Sequence, residues 1–162
     1  TSVHEYPTSE QMSEIAVSAA RVVRLFGFDP KVAFVSHSTF GQPETSRTKH
    51  IKKAVNILKE KNVDFEFDGD MQPDVALNEE YKDLYPFSKI VGNANILIMP
   101  GQHSAAISYK MMKTFGDAKV IGPLLIGLGL PIEIAPLRSS TSEIINLASI
   151  AAYSADVINY KK

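Results

Sequence analysis

Two short runs without a polar residue, Val32-Ala33-Phe34-Val35 and Ile96-Leu97-Ile98-Met99, constrain this chain most strongly. A strand with one wet face alternates apolar and polar residues. An uninterrupted run is the mark of a strand buried on both faces, as in a parallel sheet covered by helices. Segments of helical period surround both runs. Thr8 and Gln11 stand at capping-box spacing ahead of Ile15, Ala16, Ala19, Ala20, Val23 and Phe26, a stripe that stops at Gly27. Residues 47–61 repeat the pattern with Ile51, Ala54, Val55 and Leu58, and residues 64–67 read as a second strand. Asp68-Gly69-Asp70 then reads as a surface turn, and residues 74–85 as one or two short helices ended by Pro86.

Farther along, residues 104–115 have helical period up to Gly116, and Val120-Ile121 and Ile132-Glu133-Ile134 read as short strands around a Gly- and Pro-rich connection. Ser140 and Glu143 form a second capping box, opening a helix of about residues 140–160. Strands alternating with helices predict a three-layer α/β/α fold with a mainly parallel sheet, a single α/β domain over residues 1–162.

Composition removes several function classes. Seventeen Lys and Arg against eighteen Asp and Glu leave no overall charge to favour nucleic acid or an anionic membrane. The absence of cysteine excludes disulfides, thiolate metal sites and a Cys nucleophile, and fits a cytoplasmic setting. Residues 120–132, the longest apolar stretch, are broken by Gly122, Pro123, Gly127, Gly129 and Pro131, so they do not make a spanning helix, which needs about 20 residues. Thr1 opens the sequence without a Met or a signal-like segment, and we expect a piece of a longer chain.

In open parallel sheets ligands gather beyond the carboxyl ends of the strands, where loops meet helix N-termini. Four loops qualify, at residues 36–41, 100–104, 122–127 and 136–141. The first, with Ser36, Ser38, Thr39 and Gly41, suits phosphate or carbonyl oxygens, although its pattern alone favours a plain surface turn. Sharper motifs fail. Gly127-Leu128-Gly129 begins like a dinucleotide fingerprint, but Ile132 stands where the third glycine belongs. No Walker A sequence occurs. Ser104 beside His103 lacks the flanking glycines of a nucleophile elbow, and a helix cap is the simpler role for it. Asp68 and Asp70 offer Mg²⁺ two carboxylates and no obvious third, and the four histidines show no metal-ligand spacing. Arg47, Lys49, His50, Lys52 and Lys53 form a basic cluster suited to a nucleotide phosphate, but a solvated helix face is the commoner origin of such a cluster, by roughly three to one. Motif logic alone stops at an α/β domain.

Resemblance goes further. Val32-Ala33-Phe34-Val35-Ser36-His37-Ser38-Thr39-Phe40-Gly41 resembles the strand and substrate loop of the phosphate acetyl/butyryltransferase family. Asp68-Gly69-Asp70-Met71-Gln72-Pro73-Asp74-Val75-Ala76-Leu77 resembles a conspicuous signature of that family. The likeness continues through Asn93-Ala94-Asn95-Ile96-Leu97-Ile98-Met99-Pro100, Ile107-Ser108-Tyr109-Lys110 and Ile121-Gly122-Pro123-Leu124-Leu125-Ile126-Gly127-Leu128. Matches in the same order cover nearly all of residues 28–153.

The resemblance implies an architecture of the isocitrate/isopropylmalate dehydrogenase type, two α/β subdomains with a cleft between them, of which this chain supplies the second half. It implies a dimer. It also implies transfer of an acyl group between coenzyme A and phosphate, helped by a Ser-Arg pair after the last strand and an Asp early in the next helix. Those places hold Pro136, Leu137 and Glu143, with Arg138 one residue along as a possible substitute. Proline and leucine side chains donate no hydrogen bonds, so electrostatic stabilisation of a reacting oxygen is lost there. Glu143 keeps the carboxylate, but its capping box accounts for it.

This loss, with His103-Ser104 and Phe40, resembles the domain carried at the C-terminal end of bacterial NADP-dependent malic enzymes. The expected role is then regulatory and oligomerising, with acetyl-coenzyme A as effector. The candidate ligand-binding residues are Ser36, Ser38, Thr39, Gly41, His103, Ser104, Tyr109, Lys110, Arg138 and Ser139. No cofactor is expected in this chain; NADP and a divalent metal would belong to the catalytic part of the parent enzyme. Two rival expectations are an active transferase using Arg138 or Ser139, and a purely structural dimerisation domain built on Ala148, Ala151, Ala152 and Ala155.

Overall fold

A computed structural model describes residues 4–116 and 120–159, Lys82 and residues 157–159 by their backbone only. The chain divides into two compact units, Thr1–Lys110 and Met111–Lys162.

The first unit is built on a parallel sheet of three strands in the order β2-β1-β3, with β1 at Lys31–Val35, β2 at Glu66–Met71 and β3 at Ile96–Ile98. Helices α1 (Ser9–Leu25) and α2 (Ser46–Glu60) cover one face. There Met12, Ala16 and Ala20 of α1 and Ile51, Ala54, Val55 and Leu58 of α2 pack with Val32 and Phe34. Because side chains alternate along a strand, Ala33 and Val35 point to the opposite face. That face is closed by Met71, by Val75 and Ala76 of the short helix α3 (Pro73–Leu77), and by Ile90 and Ala94. The α/β/α layering follows directly from the unbroken apolar run in β1.

Local signals set the helix ends. Thr8 caps α1 by accepting from the Gln11 amide, and the Gln11 side chain accepts from the Thr8 amide in return. At the other end Gly27 takes φ +82, which lets the Gly27 and Phe28 amides reach the Arg24 and Val23 carbonyls in a Schellman stop. Helix α2 carries a capping box that the sequence reading did not use, with Thr45 as cap and Thr48 in the place usually held by Glu or Gln.

Two expectations are corrected. Asp68-Gly69-Asp70 is no surface turn; it is the interior of β2, and both carboxylates are buried. Asp68 accepts from the Gly69 and Lys89 amides, and Asp70 from the Ser38 hydroxyl and the Gly41 amide. Fixed donors supply what water would have given, which makes carboxylates tolerable inside a strand. Opposite them the ladder slips between Phe34 and Val35.

The second correction concerns Val120-Ile121 and Ile132-Glu133-Ile134, which form no strand among the described residues. Pro123, Pro131 and Pro136 withhold amide donors, and the Leu125 amide is taken by the Glu133 carboxylate at 3.1 Å rather than by a neighbouring strand. In the first unit, residues 79–84 form a 3-10 helix after α3. Helix α4 (Gln102–Phe115) follows β3, and α5 (Thr141–Asn159) opens on the expected box, Ser140 with Glu143. Tyr160, at the expected end of α5, lies outside the described residues. No helix among them is long and apolar enough to cross a membrane.

Candidate functional site

Strand order places a crevice in the first unit. From β1 the chain crosses to β2 on one side and returns to β3 on the other, so the parallel strands β1 and β3 are neighbours and their carboxyl ends lie at the same edge of the sheet. Beyond such ends open α/β sheets leave room for a ligand. A cleft of about 580 Å³ lies there. Ser36 and His37 line it from the end of β1, and Met99, Pro100 and Gly101 from the end of β3. Arg47 and Ile51 enter from α2, and His103, Ser104 and Ser108 from α4, the two serines one helical turn apart on the same face. Glu5 and Tyr6, ahead of α1, complete the wall.

Arg47 and Glu5 are the charged residues of the lining, with His37 and His103 beside them. The Arg47 guanidinium sits 5.3 Å from the centre of the Tyr6 ring, and Tyr6 stacks against His103 at 6.4 Å. His103 Nε2 lies 3.4 Å from the Glu5 carboxylate, and both side chains are largely exposed. The Ser104 hydroxyl donates to the Gly101 carbonyl at 2.9 Å, so Ser104 lies inside the first turn of α4 and is not its cap.

The remaining residues of the first loop face elsewhere. Ser38 donates to Asp70, Thr39 Oγ1 accepts from the Gln72 amide at 3.2 Å, and the Gly41 amide donates to Asp70 at 3.0 Å. These contacts tie the loop down to β2 and hold Ser36 and His37 at the cleft. Phe40 turns away to pack on Tyr85 and Phe87. Of the candidates named from sequence, the structure therefore brings together Ser36, His103 and Ser104, and uses Ser38, Thr39 and Gly41 as their support. Tyr109 and Lys110 lie farther along α4 and are not among the lining residues.

The basic cluster of α2 divides. Lys49 pairs with Glu44 and Lys53 with Glu10, both on the surface. His50 bonds to Ser9 and to the Pro7 carbonyl, and Arg47 alone turns to the cleft. Sequence reasoning undervalued Arg47 and missed Glu5, Tyr6 and Ser108. Arg47 carried a signal diluted by its neighbours, and Ser108 stood inside the stretch 107–110 that resembles the family. No pattern links residues 5–6 to a loop nearly a hundred residues away.

The second unit holds the two positions where the resemblance implies a Ser-Arg pair. Pro136 and Leu137 enter a turn ahead of α5, and the Leu137 side chain is fully exposed. Arg138 is also exposed, while the Ser139 hydroxyl points inward to a small cavity beside Gly122, Glu143 and Asn146, without a hydrogen-bond partner among the described residues. Glu143 accepts from Lys113 Nζ at 2.8 Å and from the Ser140 amide at 2.8 Å. The Lys113 ammonium first, then the Ser140 donors, hold its carboxyl down to about 2, where it is a poor proton acceptor at neutral pH. No cluster of three or more His, Asp or Glu among the described residues is arranged to hold a metal ion.

Comparison with known proteins gives this geometry a context. The family model described as phosphate acetyl/butaryl transferase matches residues 1–152. The chain is 47% identical over 155 residues to an NADP-dependent malic enzyme of Rhizobium meliloti, covering 96% of this chain and 20% of that protein. It is 36% identical over 155 residues to a phosphate acetyltransferase of Clostridium acetobutylicum, covering 94% of this chain and 46% of that protein. The crystal structure of a phosphotransacetylase from Streptococcus pyogenes superposes with a TM-score of 0.89 at 34% identity, over 95% of this chain and 47% of that one. The chain thus spans about a fifth of the malic enzymes it matches and just under half of the phosphate acetyltransferases.

Proposed function

Because the chain belongs to the phosphate acetyl/butaryl transferase family, we propose that it is the phosphotransacetylase-like domain of an NADP-dependent malic enzyme, and that it senses acetyl-coenzyme A without transferring its acetyl group. One observation carries this reading: at the entry to α5, where the resemblance requires a serine and an arginine, Pro136 and the exposed Leu137 offer no side-chain donor. Transition-state charge on a thiolate or carbonyl oxygen would go unmet, and loss of a single such donor elsewhere costs about 10²–10³ in rate. Glu143, held anionic by Lys113 and Ser140, works as a cap and not as a base. Arg138 and Ser139 do not repair the loss, since one is exposed at a turn and the other faces inward. The malic reaction, with its NADP and divalent metal, lies on this reading in a part of the parent enzyme outside these residues.

The cleft beyond β1 and β3 keeps what a phosphate-bearing effector needs. Arg47 supplies a cationic donor, His103 an imidazole, and Ser36, Ser104 and Ser108 supply hydroxyls. Calorimetry with acetyl-coenzyme A, run beside an assay for acetyl phosphate formation from acetyl-coenzyme A and phosphate, tests the proposal. Saturable binding with no phosphate-dependent turnover is expected. Sustained acetyl phosphate synthesis would overturn it in favour of an active transferase.

Self-association is supported by a separate observation. Ile144, Ile145 and Tyr153 of α5 are about half exposed or more, on a helix otherwise rich in alanine. Apolar surface of that kind is commonly covered in an assembly. Sedimentation is expected to find a dimer or larger oligomer, and a monomer at all concentrations would remove this part of the reading.

A further inference from the structure

Glu5 is the one acid among the residues lining the cleft, set against Arg47, His37 and His103. It lies on a short segment whose Pro7 side is anchored. Pro7 is buried and its carbonyl accepts from His50 Nε2 at 2.9 Å, and Ser9, also buried, bonds to the His50 carbonyl. Glu5 and Tyr6, by contrast, are exposed and held by weak contacts. The Glu5 carbonyl accepts from the Gln102 amide at 3.0 Å, its carboxylate stands 3.4 Å from His103, and the Tyr6 ring rests between His103 and Arg47.

We propose that Glu5-Tyr6-Pro7 is a displaceable strap: Glu5 occupies His103 and the Gln102 amide in place of an anion, and a phosphate-bearing ligand must push it aside to bind. The inference rests on the reading of the cleft as the effector site. Its physical basis is the contrast between the two ends. Pro7 has a buried anchor, whereas a polar contact as exposed as that of Glu5 with His103 holds little in water and gives way to a better anion. Moving Glu5 and Tyr6 together also frees the guanidinium face of Arg47 that lies on the Tyr6 ring, so one movement offers an amide and a guanidinium beside the exposed His103 imidazole.

The strap can be loosened in two unrelated ways. Glu5→Gln removes the competing charge. Gly101→Ala adds a Cβ that would stand 2.9 Å from the Glu5 carbonyl, too close for the strap to stay, without changing any charge. Tyr6→Trp reports the movement, because the chain has no tryptophan of its own. Acetyl-coenzyme A and inorganic phosphate are titrated separately, with fluorescence of the introduced indole and hydrogen exchange at the Gln102 amide as readouts. The expected result with acetyl-coenzyme A is a saturable fluorescence change and faster exchange at Gln102 or its transfer to a ligand contact. Affinity should rise roughly two- to fivefold in both Glu5→Gln and Gly101→Ala.

Binding of acetyl-coenzyme A with unchanged fluorescence, or with no gain in affinity in either variant over the unsubstituted protein, overturns the strap and leaves the effector reading standing. A response to inorganic phosphate alone keeps the strap and removes acetyl-coenzyme A as its ligand. Silence toward both ligands in all variants overturns both.

Discussion

The two compact units carry the same kind of helix signal and bury very different amounts of what they contain. In Thr1–Lys110 the apolar residues of α1, α2 and all three strands converge on two packed clusters, one on each face of β1. In Met111–Lys162 only Leu147 is a buried apolar residue among the described ones, while Phe115, Ile121, Leu130, Ile134, Leu137 and Ile145 are about half exposed or more. The difference teaches that a capping box is enough to place a helix end, but a strand exists only where a neighbour takes its amides. Helix α5 starts where Ser140 and Glu143 say it should, and the apolar dipeptide Val120-Ile121 makes no ladder.

The largest effect is expected where the first unit is most tightly built. Gly69 has φ +148 and faces Phe34 across the ladder; a Cβ there would stand 2.7 Å from the Phe34 carbonyl and 2.8 Å from the Phe34 Cβ. Gly69→Ala must push two strands apart at a backbone angle that alanine avoids, and it is expected to prevent folding of the first unit, read as loss of cooperative thermal unfolding. Phe34→Ala, which leaves a cavity but no clash, should cost about 3–5 kcal/mol by urea titration. Should Gly69→Ala prove milder than Phe34→Ala, the close approach of β1 and β2 would not be what that glycine is for.

Next in size is Asp70→Ala. It strands the Ser38 hydroxyl and the Gly41 amide, both of which donate to that carboxylate, at roughly 2–4 kcal/mol for one buried and one half-buried donor. The same change should weaken binding in the cleft, because Ser36 and His37 sit on the loop that Asp70 holds. Normal ligand affinity in a destabilised Asp70→Ala protein would separate the loop from the site.

These residues also show how far the sequence could be read. The unbroken apolar run of β1, bounded by Pro30 and Ser36, revealed the layering, since a strand covered on both faces uses such a run. Asp68-Gly69-Asp70 misleads, because two acids around a glycine look like a turn until donors 21 and 32 residues away are known. The cleft was half legible: loops at the ends of β1 and β3 follow from the alternation of elements, so Ser36, His103 and Ser104 were within reach. Glu5, Tyr6 and Arg47 enter it through tertiary contacts that leave no local periodicity.

Cap deletions sharpen the comparison at a smaller scale. Thr8→Ala and Ser140→Ala each remove a side chain that accepts from the amide of the third helical residue, a loss of about 1 kcal/mol in either case. Their consequences should differ. Helix α1 is pinned by buried Met12, Ala16 and Ala20, so Thr8→Ala lowers the unfolding midpoint of the first unit without fraying. Helix α5 has little such burial, and Ser140→Ala should instead raise amide exchange through its first two turns. Equal fraying in both helices would mean that burial is not what distinguishes the two units.

The smallest effect, and the cleanest in sign, is the response of α5 to acid. Glu143 has its carboxyl lowered from the ordinary range to about 2, chiefly by Lys113 and then by Ser140. A group whose folded value is depressed contributes stability that is fully present above its unfolded value near 4.5 and is lost as pH falls toward 2. Helix α5 should therefore fray between about pH 4.5 and pH 2, seen as rising exchange at its first-turn amides. The first turn of α1 also carries a carboxyl lowered to about 2, Glu10, chiefly by Lys53, but buried Ser9, Met12 and Ser13 hold that turn and its exchange should rise less over the same range. Lys113→Met removes the largest cause of the shift and should move the onset of fraying upward in pH. An onset that stays put in that variant would assign the carboxylate's hold on α5 to the Ser140 donors alone.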